Sequence, residues 1–268
     1  MDNIKIFCIT NKESILLEKL NLNLVGVGKD IFPKPYLSTL SGENIQYKES
    51  SYSELTFHYW FWKNELKNYD NDTWIGFCQK RRFWLQNNKN SVNNFNDLKN
   101  HILKDVPNDW KLKNSIICSP IKVNEVKKMK MLKRGWKNLL KDPFIFINQK
   151  KQTLNLQFDM YHGYNVLTKA ISVMDLKDRA DFLDYVNTKD EFNPNIMVIS
   201  KKEILNKWFG SVFAWLSECE KIFGFNDLKG YDQSRLYAFL AERYLSFWFK
   251  KYTQYLPWSW SFFDVIKK

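Results

Sequence analysis

The amino-acid sequence predicts an α/β protein, a single domain over residues 1–268 built on a mainly parallel, doubly wound sheet flanked by helices. Three observations carry this prediction. Short apolar runs with β-branched residues recur at Ile4–Thr10, Thr73–Cys78, Ser115–Ile121 and Asn195–Ser200. Longer amphipathic stretches alternate with them. Nine glycines and seven prolines are too few for an all-β architecture made of many tight turns. Strands separated by helices along the whole chain imply a parallel sheet with both faces covered. In such sheets ligands bind beyond the carboxyl ends of the strands, so the residues just after each strand matter most.

Taken in order, Ile4–Thr10 reads as a first buried strand, and Val25–Gly28 as a strand end lacking the spacing of a dinucleotide fingerprint. Residues 29–50 carry Pro33, Pro35 and Gly42 and read as an extended surface segment. Ser51–Leu66 predicts a helix, with Ser51 and Glu54 spaced as a capping box. Thr73–Cys78 is a strand that delivers Gln79-Lys80-Arg81-Arg82 at its end, and Asn87–Asn96 is looped. Ser115–Ile121 is a strand ending at Pro120, and Lys122–Lys141 is a dense basic stretch. Helix is expected around Asp181–Val186, strand at Asn195–Ser200, and long helices at Lys201–Phe223 and Asp232–Tyr252.

The bulk composition narrows the function classes. With 44% hydrophobic and 17% aromatic residues, the chain has ample material for a packed core. Cys8, Cys78, Cys118 and Cys219 form no CxxC pair and sit in apolar runs, which points to buried free thiols rather than disulfides or zinc. The start MDNIKIFCIT has neither a basic n-region nor an apolar h-region, and no run approaches a membrane span. The expectation is a cytoplasmic protein, peripheral to a membrane at most. The net charge of +12 favours anionic partners or is a solvated basic face, and charge alone does not separate the two.

Several residue groups could carry chemistry. Lys80-Arg81-Arg82 follow a buried strand, and the planar guanidinium fork suits bidentate contacts to phosphate; a pyrophosphate clamp and a surface charge cluster both stay open. Glu54 needs no role beyond capping. His162 is a candidate sugar or phosphate contact, although a lone histidine is more often structural. The three histidines lack zinc-ligand spacing, and no P-loop or G-x-S-x-G elbow is present. Asp232 stands where a helix begins, so it reads as an N-cap or as an ionised general base.

Gly42-Glu43-Asn44-Ile45, Tyr52-Ser53-Glu54-Leu55-Thr56, Tyr59-Trp60 and Trp62-Lys63-Asn64 form the first part of a broader pattern. It continues with Ile75-Gly76-Phe77-Cys78, Arg81-Arg82-Phe83, Phe192-Asn193, Ile196-Met197, Tyr231-Asp232, Arg235, Phe239-Leu240 and Glu242-Arg243. In this order and spacing, covering nearly the whole chain, the sequence resembles a family of capsular-polysaccharide and O-antigen glycosyltransferases. That family was first catalogued as a domain of unknown function and includes galactofuranosyltransferases. One departure falls in its most diagnostic motif: Gln79 and Lys80 stand where the family usually shows a His and an aromatic residue.

The resemblance implies a GT-A-like nucleotide-sugar fold, with residues 1–120 as the donor half and 121–268 as the acceptor half. Its implied donor-site residues are Asn44, Glu54, Lys80, Arg81, Arg82 and Cys118; its implied acceptor or sugar contacts are His162, Asn193, Asn195 and Glu242, the last also a second candidate base, although its place in the helix favours an ion pair with Arg235 or Arg243. Asp232 becomes the candidate catalytic base, and Arg81 and Arg82 the cations that stabilise a departing nucleoside diphosphate. Asp70-Asn71-Asp72 precedes its strand, the wrong end for metal-bound diphosphate. No cofactor is therefore expected, a divalent cation included. The implied partners are a UDP-sugar and an oligosaccharide or lipid-linked acceptor. Lys122–Lys141 and the aromatic tail Tyr255–Phe263 would add contact with an anionic membrane, against the plainer reading of the tail as a packed extension. A catalytically inactive relative, or a basic polyanion- or nucleic-acid-binding protein, is the rival reading; no nucleic-acid motif is present.

Overall fold

A computed structural model of the chain describes residues 3–87, 92–123 and 152–266. Its strands are β1 (Ile4–Thr10), β2 (Asn23–Gly26), β3 (Leu37–Ser38), β4 (Trp74–Gln79), β5 (Arg82–Trp84), β6 (Ser115–Cys118), β7 (Ile121–Lys122), β8 (Glu191–Phe192), β9 (Val198–Ser200), β10 (Tyr255–Trp258) and β11 (Trp260–Phe262). The chain divides into two compact units. One comprises Met1–Ser119, Asn195–Ser211 and Trp248–Lys268, the other Pro120–Pro194 and Val212–Phe247.

The first unit holds the main sheet, in the order β10-β6-β9-β4-β1-β2-β3. Along this path every pairing is parallel except the two made by β9, so the expected mixed α/β fold with a mainly parallel sheet is what forms. Because both faces are covered, β1 is buried continuously from Ile6 to Thr10 rather than at alternate positions. Alternation still sorts the side chains. Ile6, Cys8, Trp74 and Cys78 join a core with Trp84, Trp110, Ile116, Cys118 and Trp258. Phe7 and Phe77 join an aromatic cluster with Phe57 and Phe61, with ring centroids 5.0–6.2 Å apart. Gly76 lies in β4 because there is no room for a side chain: a Cβ would stand 2.5 Å from Ile6 Cδ1 and 2.7 Å from Ile199 Cγ1.

In the second unit, the helices Leu154–His162, Val166–Ser172 and Leu176–Thr188 are accompanied by a two-stranded antiparallel ladder of β7 and β8. Thr153 caps the first helix by accepting the Leu156 N–H, and Asp175 caps the third by accepting from Lys177. Phe182, Trp215, Tyr244 and Phe247 pack together, and Trp215 Nε1 donates to the Ala170 carbonyl at 2.7 Å.

The structure departs from several expectations. The helix expected over Ser51–Leu66 is broken: Glu49–Tyr52 and Leu55–Trp60 are separate, because Ser53 turns left-handed at φ +53, and a π-helical turn follows at Phe61–Glu65. The capping box therefore does not form; Glu54 occupies the N-cap position with no side-chain cap hydrogen bond. The strand Ser115–Ile121 divides at Ser119-Pro120 into β6 and β7. The helix expected over Asp232–Tyr252 is interrupted at Arg235, leaving Tyr231–Ser234 and Leu236–Tyr252. The aromatic tail follows its plainer reading as a packed extension: it is built into the sheet, with β10 beside β6 and β11 beside β5, and Trp258 is buried with Nε1 donating to the Leu85 carbonyl. Of the basic stretch Lys122–Lys141, residues 124–141 lie outside the described residues.

His58 sits in the aromatic cluster, fully buried, 4.4 Å from the Phe77 ring and 5.8 Å from Phe209, with neither ring nitrogen hydrogen-bonded. Burial lowers its pKa from the ordinary 6.5 to about 3. A depressed histidine pKa means that, below pH 6.5, the unfolded chain takes up a proton that the folded chain refuses. Stability is then lost as the pH falls towards 3, at about 1.4 kcal/mol per pH unit. His58→Phe is expected to stabilise the protein by about 1 kcal/mol at neutral pH and to flatten this acid slope. Denaturant unfolding across the pH range checks both, and an unchanged slope would refute the assignment.

Candidate functional site

Strands β1, β2 and β4 end together. Ile9 is in register with Gln79, and Thr10 with Gly26, while Val27 N–H donates to the Thr10 carbonyl and Lys80 N–H to that of Ile9. Polar residues gather directly beyond this edge. Thr10 Oγ1 donates to the Lys12 carbonyl at 2.6 Å and accepts from Lys12 N–H at 3.1 Å, which fixes the turn that carries Asn11. Lys80 Nζ donates to Asn11 Oδ1. Gln46 Nε2 reaches the Gly28 carbonyl at 3.1 Å, and Asn11 and Glu49 flank the same glycine.

The centre of the cluster is a chain of three side chains. Glu54, freed from capping by the break at Ser53, accepts from Gln79 Nε2. Gln79 Oε1 in turn accepts from Arg82 Nη1 at 2.8 Å. This convergence follows from strand alternation: Gln79 lies two residues beyond Phe77, so it emerges on the face where the helix Leu55–Trp60 packs. Arg81 is directed differently. Its Nη1 pairs with Asp264 Oδ2 at 3.5 Å, and its carbonyl accepts from Phe263 N–H. The two adjacent arginines thus serve different surroundings.

A clamp holds the loop that carries Gln46. Gly42 has φ +73, and a Cβ there would run into Asn64 Oδ1. That oxygen accepts from Glu43 N–H at 3.1 Å, while Asn64 Nδ2 donates to the carbonyls of Glu43 and Trp60. Trp60 Nε1 donates to the Ser41 carbonyl at 2.6 Å. Tyr59 donates to Glu43 Oε1 at 2.6 Å, and partial burial together with that carboxylate pushes its pKa up to about 12. Asn44, expected at the donor, spans its own loop: Nδ2 donates to the Gly42 carbonyl and Oδ1 accepts from Gln46 N–H. Cys118, also expected at the donor, is fully buried in the core near Cys78, so it is a packing residue. All four cysteines are buried free thiols, as the sequence indicates.

In the second unit, the N-cap of Tyr231–Ser234 is Gly230, so Asp232 lies inside the first turn rather than at the cap. Its carbonyl is 2.8 Å from His162 Nδ1, which must therefore be the protonated nitrogen. His162 is buried and stacks on Phe239 with centroids 4.0 Å apart. Glu242 pairs at 2.6 Å with Arg243, whose guanidinium is buried, donates to Gln157 Oε1 and lies 3.7 Å over the Phe192 ring. Glu242 is thus the counterion of a buried cation. Asn193 is buried, and its N–H donates to Ser246 Oγ at 2.8 Å. In the first unit, Asn195 adopts the left-handed region at φ +62.

Sequence reasoning missed Asn11, Gln46 and Gln79 as members of the cluster. The first and last were legible as polar residues directly after, or closing, buried strands; Gln46 had no such signal. Among the described residues, no three His, Cys, Asp or Glu side chains converge to form a metal-binding group, and no helix is long and apolar enough to cross a membrane.

This fold is found among glycosyltransferases. The structure of apo WbbM, a bifunctional glycosyltransferase, superimposes with a TM-score of 0.73 at 16% identity, covering 97% of this chain and 45% of that one. The chain therefore spans less than half the length of that structure. No curated protein matches the sequence. Residues 5–254 match the domain of unknown function DUF4422, and the chain belongs to that family.

Removing the Glu242 carboxylate would leave the buried Arg243 charge with the neutral Gln157 amide and the Phe192 ring but no counterion there. Glu242→Ala is expected to destabilise the fold by about 3–5 kcal/mol. Denaturant titration checks this, and a loss below about 1 kcal/mol, typical of an exposed pair, would refute the buried-counterion role.

Proposed function

We propose that this protein is a glycosyltransferase that moves a hexosyl group, galactofuranosyl being one candidate, from a UDP-sugar to a surface-polysaccharide or lipid-linked acceptor. The reading places the reaction in the cytoplasm or at the inner face of the plasma membrane. Membership of DUF4422 and the likeness of fold to WbbM support it. The observation that carries it is the polar cluster around Arg82, at the carboxyl edge of the parallel strands. Guanidinium and ammonium groups fixed there would stabilise the negative charge that grows on departing UDP without a divalent cation. Arg82 is the principal member of this group, because Arg81 already has the Asp264 carboxylate beside it. Asp232 is the candidate base that removes the acceptor hydroxyl proton, giving inversion at the anomeric carbon.

Calorimetry with UDP, in EDTA and separately in Mn²⁺, tests this reading together with a transfer and hydrolysis assay on UDP-sugars. Saturable UDP binding that survives EDTA is expected. Arg82→Ala should weaken it roughly 10- to 100-fold, the value of a charge-assisted hydrogen bond, and Arg81→Ala less. Asp232→Asn should retain UDP binding and lose turnover. Absence of nucleotide binding under every condition would overturn the reading.

A further inference from the structure

We propose that Gln79 is a positioning residue, whose amide aims the Arg82 guanidinium at the anionic part of the donor and keeps the Glu54 carboxylate from neutralising it. The identity of that anion as UDP rests on the transferase reading above.

The geometry is specific to an amide. Gln79 Nε2 donates to Glu54 and Gln79 Oε1 accepts from Arg82, so each end of the side chain faces the charge it complements. Flipped, the amide would set oxygen against carboxylate and N–H against guanidinium, so the two neighbours fix its orientation. Backbone pairing adds rigidity. Gln79 and Arg82 are cross-strand partners closing the hairpin of β4 and β5, and Arg82 also pairs with Phe262 in β11.

Two consequences follow for Arg82. Among the described residues, Gln79 occupies one of its five N–H donors, leaving the rest of the planar fork for an anion. The acidic neighbour that holds the assembly acts through a neutral group, and Coulomb attraction falls with the added separation. A direct Glu54–Arg82 pair would hold the arginine equally well but cancel its charge. The amide keeps the orientation and preserves the charge.

The charged and titratable groups on the elements around Gln79 include Glu54 before the helix, Glu49 beside Gly28, His58 on Phe77, Lys12 after β1, Lys80, Arg81 and Arg82 on the hairpin, and Asp264 beside Arg81. Gln79→Glu is nearly isosteric and replaces the spacer with a second carboxylate against Arg82. UDP affinity at neutral pH should fall roughly tenfold or more. The loss relative to wild type should shrink as the pH enters the carboxylate range, because a proton shared by the two carboxyls restores a neutral spacer. Gln79→Ala should weaken binding by a smaller factor, because only the Glu54 carboxylate is then left to act on Arg82 without the spacer. A purely structural role would move thermal stability without this pH signature.

Calorimetry on wild type, Gln79→Glu, Gln79→Ala and Arg82→Ala, with UDP and with inorganic diphosphate, decides the matter; thermal midpoints confirm folding. If Gln79→Glu binds UDP like wild type while Arg82→Ala does not, or if its loss is the same at every pH, the positioning role is overturned. If wild type binds diphosphate but not UDP, the transferase reading fails, and the Gln79 role is judged on the same ratios with diphosphate. Binding of neither anion overturns both.

Discussion

Strand β4 lies where the parallel half of the sheet meets the antiparallel β9, and Gly76 is the residue that lets it lie there. With Ile6 on one neighbouring strand and Ile199 on the other filling the space a Cβ would occupy, a side chain at residue 76 would have to displace one of them or the strand itself. Interiors are close-packed and transmit such shifts rather than absorbing them. The registers Ile6↔Gly76, Cys8↔Cys78 and Ile9↔Gln79 then follow, and so does the common level at which β1, β2 and β4 stop. The polar cluster beyond that edge is thus a consequence of how closely three strands approach one another several residues earlier.

From that register, strand alternation does the sorting. Phe77 goes to the aromatic face and Cys78 to the opposite core, so Gln79 emerges above Phe77 on the side covered by the helix Leu55–Trp60. The break at Ser53 then acquires a use. In one continuous helix, Glu54 would satisfy backbone N–H groups in its own first turn; with the chain turning left-handed just before it, its carboxylate is available to Gln79. A left-handed non-glycine residue costs free energy, and here the strained residue adjoins the candidate site. The Asn64 clamp works in the same direction, because the π-helical turn at Phe61–Glu65 accompanies the side chain that holds the backbone of Glu43.

Much of the first unit was legible in the sequence, since strands buried on both faces announce themselves as continuous apolar runs, and β1 and β4 fall where those runs lie. The polar edge was legible in outline for the same reason: Lys80, Arg81 and Arg82 follow such a run. What the sequence could not show is direction. Arg81 and Arg82 look equivalent as neighbours, yet a hairpin and the partner strand β11 send one towards Asp264 and the other towards Gln79. The capping box at Ser51–Glu54 was misread because a local pattern fits a helix start whether or not tertiary contacts bend the chain at Ser53. The aromatic tail shows the same limit, for only its pairing with β6 and β5 separates a sheet extension from an interfacial anchor. Asn44 and Cys118 are expected at the donor, yet their partners here are loop and core, while Glu242 makes the ion pair with Arg243 that its helical spacing allows.

The difference between the two arginines also clarifies what the net charge of +12 does and does not say. Excess cations raise the potential over a whole surface and speed encounter with any anion, but they do not select where an anion rests. Selection requires a cation whose geometry is held by groups that leave its charge available. Arg81 meets a carboxylate directly, so an anion approaching it competes with Asp264. Arg82 meets the oxygen of an amide, which fixes the guanidinium as an ion pair would and leaves its charge intact. An anion entering at the carboxyl edge of β4 would therefore gain more from Arg82 than from Arg81. Two adjacent residues of one type thus become unequal through their partners alone.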